Sequence, residues 1–176
     1  MKKYRYLIVL SFFLSQMSLG CDFVYRILQK EGAEEKEILG VVVPTQPNEK
    51  VKEVQTLLKI YGYSVGNPDG TLGNNTRIAL GKFQEDNHIK ATRFVDYATW
   101  GRLKFHEDIG LIKDGKVHIL TLQTALRAAG FDPGKVDGYA GHKTREALKS
   151  FQKAKGLKPD GRVGLQTLRQ LAEYLQ

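Results

Sequence analysis

The chain has 176 residues, of which 41% are hydrophobic and only five are proline, so most of it is expected to fold into one ordinary domain or two small ones. Its formal net charge of +8 suits an anionic partner, although the charges are scattered and equally consistent with a solvated surface. The single cysteine, Cys21, excludes an intramolecular disulfide bond.

The first twenty residues have the pattern of an export signal. A basic start, MKKYR, precedes the apolar run YLIVLSFFL and the small-residue exit SQMSLG. The apolar run is too short to span a bilayer comfortably, which favours a cleaved signal peptide over residues 1–20. An uncleaved anchor and a plain secretory signal are the alternatives. Without this segment, 24 basic residues face 19 acidic ones.

Cys21 directly follows the signal, and the sequence MSLGC resembles the lipobox of bacterial lipoproteins, in which the first mature residue is a lipid-bearing cysteine. The match is partial, because Ser18 and Leu19 stand where the family prefers leucine and a small residue. The resemblance implies lipidation of Cys21 and anchoring in the bacterial cell envelope, facing the periplasm or wall. Multiple acyl chains, each contributing roughly 0.8 kcal/mol per buried methylene, anchor a protein stably.

Residues 21–47 are predicted to be the lipidated N-terminus and a flexible tether. The segment contains the charged patch KEGAEEKE and ends in VVVPTQPNE. A disordered segment of this length would have a root-mean-square reach of roughly 30 Å.

The remainder of the chain is an internal repeat. Residues 54–103 align without a gap with residues 122–171, and 18 of these 50 positions are identical. Duplication on this scale predicts two modules, over residues 48–106 and 114–176, of which the first is the more divergent.

Each unit has the hydrophobic spacing of three short helices, so the predicted fold is all-α: two tandem three-helix modules. Asn48 is a predicted N-cap of the first helix. The expected core positions are Val51, Val54, Leu58, Tyr61, Thr76, Ala79, Leu80, Phe83, Trp100 and Leu103 in the first copy and Ile119, Leu122, Leu126, Ala129, Thr144, Ala147, Leu148, Phe151, Leu168, Leu171, Ala172 and Leu175 in the second.

The motifs of the repeat resemble the peptidoglycan-binding domain found beside many cell-wall hydrolases. The second copy has Leu122-Gln123, Asp137-Gly138, Gly141-His-Lys-Thr144, Ala147-Leu148, Phe151-Gln152, Gly156-Leu157, Asp160-Gly161, Val163-Gly164 and Thr167-Leu168; the first has Val54-Gln55, Asp69-Gly70, Gly73-Asn-Asn-Thr76, Ala79-Leu80, Phe83-Gln84 and Thr99-Trp100. The resemblance implies an all-α fold and affinity for the bacterial wall. In the first copy Thr92-Arg93 replaces the second Asp-Gly and Asp96 the following glycine, which predicts a reshaped late loop.

Arg77 and Arg145 are the most informative polar residues, because both copies keep an arginine in the first turn of the second helix. The helix dipole disfavours a cation there by roughly 0.3–1 kcal/mol. One explanation is a structural ion pair with Asp69 or Asp137. The other is recognition, since an arginine fork beside free helix amides would bind the carboxylate of a wall peptide stem.

Five further residues complete the candidate ligand-binding set. Asp137, Tyr139 and Lys143 flank the same corner of the second copy, where an aromatic ring could stack on a sugar. Gln84 and Gln152 follow core phenylalanines, and a buried amide there needs partners that a loop backbone could supply. The structural alternative for these glutamines and for the aspartate of the Asp-Gly turn therefore stays open.

No catalytic residue, metal site or cofactor is expected. The four histidines, at positions 88, 106, 118 and 142, show no HExxH spacing. Ser150 and Lys153 match Ser-x-x-Lys only by spelling, within a predicted helix. The sequence therefore predicts a non-catalytic peptidoglycan-binding lipoprotein with no nucleic-acid partner; the alternative is an envelope adaptor whose modules bind a protein.

Overall fold

The computed structural model describes residues 30–43 and 46–175; the predicted signal peptide and Cys21 lie outside these residues. The described residues form helices and one two-stranded hairpin, which confirms the all-α prediction. The elements are α1 (residues 30–39), α2 (Glu49–Ile60), α3 (Asn74–Asp86), α4 (Tyr97–Asp108), β1 (Ile112–Lys113), β2 (Lys116–Val117), α5 (Ile119–Ala128), α6 (His142–Ala154) and α7 (Leu165–Ala172). No described helix has both the length and the apolar character needed to cross a membrane.

Helices α2–α4 form module 1 and helices α5–α7 form module 2. The predicted core positions are buried, apart from four that are half-buried: Trp100, Ile119, Ala129 and Leu175. Phe83 and Phe151 are fully buried at the centre of their modules. The hydrophobic spacing of the sequence therefore identified the inward face of each helix correctly.

Two helices of module 1 begin at side-chain caps. Asn48 accepts a hydrogen bond from the Val51 amide at 3.0 Å, as its position predicted. Asp96 accepts from the Thr99 amide at 2.8 Å and so caps α4, whereas the matching residue before α7 is Gly164. The aspartate that departs from the family pattern thus starts a helix.

A short antiparallel hairpin, β1–β2, joins the modules. Its turn is Asp114-Gly115, and both residues have positive φ angles, 51° and 65°, as a tight two-residue hairpin turn requires. Leu111 and Ile112 are fully buried beside it. The modules also touch directly, since the Leu165 amide donates to the carbonyl oxygen of Tyr61 at 3.2 Å.

Helix α1 lies in the segment predicted to be a flexible tether, and over residues 30–39 that prediction is wrong. Leu39 is buried, and its carbonyl oxygen accepts a hydrogen bond from Asn48 Nδ2 at 3.0 Å. Four glutamates of α1 contact module 1: Glu31, Glu34, Glu35 and Glu37. The charged patch therefore folds because module 1 supplies its complementary partners.

Candidate functional site

A buried glutamine closes the first loop of each module. Gln123 Nε2 donates to the carbonyl oxygens of Lys135 and Tyr139, both at 3.0 Å, while its Oε1 accepts from the Gly138 amide at 2.9 Å. Gln55 closes the first loop of module 1 in the same way, through hydrogen bonds with Asp69, Gly70 and Thr76. These partners lie 14, 15 and 21 residues after Gln55, and the Asp, Gly and Thr partners of Gln123 lie at the same spacing. This loop presents the residues that precede α3 and α6.

Gln84 and Gln152 close the second, late loop in the same way. Gln152 Oε1 accepts from the Gly161 amide at 2.9 Å, and its Nε2 donates to the Arg162 carbonyl oxygen at 2.8 Å. Both glutamines are buried, and their amides are engaged by the protein itself. The structure therefore places them in the framework that shapes the loops, and not at the surface where a ligand would contact them.

The late loop of module 1 keeps the geometry of module 2, so the prediction that it is reshaped is wrong. The Arg93 amide donates to Gln84 Oε1 at 2.7 Å, as the Gly161 amide does to Gln152. Arg93 has a φ of 63°, close to the 70° of Gly161. Such an angle costs a non-glycine residue roughly 1–2 kcal/mol, and the hydrogen bonds of the loop hold the arginine in it.

The open corner of module 2 brings together Tyr139 and Arg145 at the start of α6. Tyr139 is 75% exposed, and a Cβ at Gly141 would lie 3.6 Å from its ring. Arg145 is exposed, and its Nη1 donates to the Ala140 carbonyl oxygen at 3.1 Å. The exposed ring and the arginine thus both lie at residues 139–141, and we call this part of the surface the module 2 corner.

Asp137 and Lys143 lie outside the module 2 corner. The Tyr139 amide donates to Asp137 Oδ1 at 2.9 Å, and this hydrogen bond lowers the pKa of the carboxyl. The aspartate therefore stabilises the turn and does not pair with Arg145. The Lys143 side chain runs back over Gly134, where a Cβ would lie 3.1 Å from Lys143 Cδ.

The corresponding corner of module 1 is covered by α1. Arg77 Nη1 and Nη2 donate to the two carboxylate oxygens of Glu35 at 2.5 and 2.7 Å. The guanidinium also lies 4.8 Å from the centre of the Phe94 ring. The predicted ion pair with Asp69 does not form; that carboxylate accepts from Gln55 Nε2 and from the Thr71 amide. Glu35 was not predicted as the partner of Arg77, because the two residues lie 42 positions apart in the chain.

Within residues 30–43 and 46–175, the structure brings together no group of three or more His, Cys, Asp or Glu side chains able to hold a metal ion. Each corner carries an arginine, which is bidentate to Glu35 in module 1, and the module 2 corner also carries an exposed aromatic ring. Arginine forks suit carboxylates, and aromatic rings offer an apolar face.

Comparison with known families assigns both modules. A family model described as "Putative peptidoglycan binding domain" matches residues 47–103 and 118–171. The chain belongs to this family. Each matched segment contains both of the glutamine-closed loops of its module, which explains why the family pattern pairs Gln with Asp-Gly and Thr. The two matches confirm the resemblance seen in the sequence and its tandem arrangement.

Two curated relatives are amidases by name. The N-acetylmuramoyl-L-alanine amidase CwlM of Mycobacterium tuberculosis is 47% identical over 103 residues, which cover 58% of this chain and 22% of the relative. A probable N-acetylmuramoyl-L-alanine amidase of Bacillus licheniformis is 32% identical over 151 residues, which cover 72% of this chain and 43% of the relative. The chain thus spans less than half of either relative. No solved structure matches it.

Proposed function

We propose that the protein is a non-catalytic cell-envelope lipoprotein that binds peptidoglycan through its tandem modules. Membership of the peptidoglycan-binding domain family supports the ligand. The names of both relatives contain N-acetylmuramoyl-L-alanine, a sugar joined to an amino acid, which is consistent with a wall ligand. The chain matches only part of these enzymes, and the chemistry of its corners is that of binding.

The observation that carries this proposal is the open module 2 corner. Tyr139 offers an exposed ring to a sugar face, and the Arg145 fork beside it can take a carboxylate. In the part of the chain that the structure describes, the salt bridges leave Arg145 without an acidic partner. A sugar and a carboxylated peptide are the two components that meet in peptidoglycan.

Lipidation of Cys21 after removal of residues 1–20 would place the modules in the cell envelope, next to the wall. The anchor supplies membrane attachment and the modules supply wall attachment.

Co-sedimentation of the full chain with purified insoluble peptidoglycan tests the proposal. We expect the chain to pellet at low salt and to pellet less at high salt, because exposed charge pairs are screened. A chain that is folded by circular dichroism and stays in the supernatant at low salt overturns the proposal.

One observation favours the adaptor as a second candidate function. The module 1 corner already holds a protein segment, the acidic helix α1. A partner protein with an acidic helix could occupy the module 2 corner in the same manner. This candidate predicts no pelleting with peptidoglycan, and salt-dependent pelleting would contradict it.

A further inference from the structure

Glu35 occupies a complete carboxylate site on module 1. Arg77 donates to both oxygens of the carboxylate, and the Val95 amide donates to Oε2 at 2.8 Å. The Glu35 side chain is only 10% exposed. A bidentate arginine with a backbone amide is the donor set that proteins use for a peptide carboxylate.

The rest of α1 holds Glu35 in this site. Lys90 Nζ donates to Glu31 at 2.7 Å, and the Tyr97 amide donates to Glu34 at 3.2 Å. The buried Leu39 fixes the far end of the helix. Because α1 precedes α2 in the same chain, Glu35 competes for Arg77 as an intramolecular ligand, at an effective concentration in the millimolar range.

In the part of the chain that the structure describes, module 2 contains the same donors and no helix covers them. Arg145 and Val163 occupy the positions of Arg77 and Val95, and the late loops share their hydrogen bonds with Gln152 and Gln84. The Arg162 carbonyl oxygen and the Gly161 amide are held as their counterparts in module 1 are. By this equivalence the Val163 amide is the counterpart of the Val95 amide that donates to Glu35.

The charge around the open site also suits an anion. Arg162 is exposed where module 1 has Phe94, and the Lys149 side chain lies along Gly161. The Arg145 guanidinium rests on the Ala140 carbonyl oxygen, in place of the late-loop carbonyl that Arg77 contacts in module 1. An exposed arginine can exchange one carbonyl for a carboxylate at little cost.

We propose that Arg145 and the Val163 amide form a carboxylate-binding site for the peptide stems of the wall, and that Glu35 fills the equivalent site of module 1 from within the chain. The proposal rests on the proposed function and gives the two modules different roles. Module 2 is open to external carboxylates. Module 1 is closed until α1 leaves.

Pelleting with insoluble peptidoglycan separates the two sites in the full chain. We expect Arg145→Ala to weaken binding by about ten- to a hundredfold, the range for hydrogen bonds to a charged group. Adding Glu35→Ala to Arg145→Ala should restore pelleting, because Arg77 becomes available. Adding Arg77→Ala to this double variant should abolish pelleting again. Lys36→Ala, an exposed change in the same helix, is the matched control and should restore nothing.

A second measurement guards against loss of folding in these variants. In the ¹⁵N-labelled wild-type chain, N-acetylalanine should shift the amide resonance of Val163 and leave that of Val95 unchanged. N-acetylalanine amide, which lacks the carboxylate, should shift neither. In Glu35→Ala the Val95 resonance should respond as well.

The outcomes distinguish the two proposals. Pelleting that depends on Arg145 but is not restored by Glu35→Ala, with no response of Val95 in that variant, overturns the self-occupied module 1 and leaves wall binding intact. If Arg145→Ala leaves pelleting unchanged and N-acetylalanine does not shift the Val163 amide resonance, the carboxylate site is overturned. A wild-type chain that fails to pellet yet responds to the probe at Val163 overturns the wall as ligand and assigns the site to an acidic protein segment.

Discussion

The side chain of Arg93 lies against the face of α3 that Gly81 leaves bare, so a Cβ at Gly81 would come within 3.2 Å of Arg93 Cγ. Module 2 has the reverse arrangement at the same two positions. Lys149 replaces the glycine, and Gly161 replaces the arginine, with 3.5 Å between a Cβ at Gly161 and Lys149 Cγ. Each pair thus joins one long basic side chain to one glycine, and either helix or loop can supply the long partner.

Gly81→Lys and Arg93→Gly should therefore be coupled. The first change alone crowds Arg93, and the second removes both the crowding and the cost that a positive φ angle imposes on a non-glycine residue. We expect the double variant to be more stable than the sum of the single changes predicts, by about 1 kcal/mol, in urea unfolding of all four chains. Gly101→Lys is the control, since a Cβ at Gly101 meets nothing; coupling of equal size there would contradict the pairing.

Gln152→Ala should destabilise the protein by about 2–3 kcal/mol, because the Gly161 amide, the Arg162 carbonyl and the Thr167 hydroxyl lose one shared partner. Thermal or urea unfolding measures the loss. Gln166→Ala, an exposed change in α7, should stay within about 0.5 kcal/mol of the wild type. Equal effects of the two substitutions would contradict the role of Gln152 in holding the loop.

His106 makes stability depend on pH. It is 3% exposed, and burial, with a smaller effect of Arg169, lowers its pKa from 6.5 to about 4. The Tyr61 hydroxyl donates to the Leu103 carbonyl oxygen, so His106 Nδ1 donates to Tyr61 Oη. In the described part of the chain Nε2 has no hydrogen-bond partner. The neutral ring is therefore the folded form.

Because the unfolded ring takes up its proton near pH 6.5 and the folded ring only near pH 4, the wild type should lose stability as the pH falls through that window. The full loss is roughly 3 kcal/mol and should be complete below about pH 4. His106→Leu should show a correspondingly flatter profile of unfolding free energy against pH. His142→Gln, at an exposed position, should keep the wild-type profile; identical profiles for all three chains would contradict the assignment.

Arg77→Ala and Arg145→Ala should differ in their effect on stability, although the residues are equivalent in the repeat. Loss of Arg77 removes both guanidinium hydrogen bonds from the buried Glu35 carboxylate and should cost about 1–3 kcal/mol. Loss of Arg145 removes one exposed hydrogen bond and should change the Tm by less than about 2 °C. A large fall in the Tm of Arg145→Ala would mean that this arginine locks its loop instead of recognising a ligand.

The helices and the core were predictable because the hydrophobic spacing indicates the same three helices in both copies of the repeat. The framework role of Gln84 and Gln152 was open in the sequence, since an amide beside a core phenylalanine serves a loop or a ligand equally well. The hairpin was not predicted, although the dipeptide Asp114-Gly115 is a known signal for a two-residue hairpin turn. The positive φ angle of Arg93 was not predicted, because arginine rarely adopts this conformation; the hydrogen bond to Gln84, nine residues earlier, holds it there.

Helix α1 could not be predicted from the sequence. The run KEGAEEKE has few apolar residues, so on composition alone it favours a solvated linker. Its order comes from partners far along the chain, Arg77, Lys90 and Tyr97, which only the fold brings together. For the same reason, no sequence motif indicated that α1 covers the module 1 corner.

The junction between the modules has a thermodynamic consequence. Leu111 and Ile112 belong to the same buried cluster as the cores of both modules, and the Leu165 amide is bonded to the Tyr61 carbonyl across the junction. Neither module can lose its packing without exposing surface of the other. A sequence duplicated into two units should thus melt as one, with a single calorimetric transition whose van't Hoff enthalpy equals the calorimetric enthalpy of the whole folded chain.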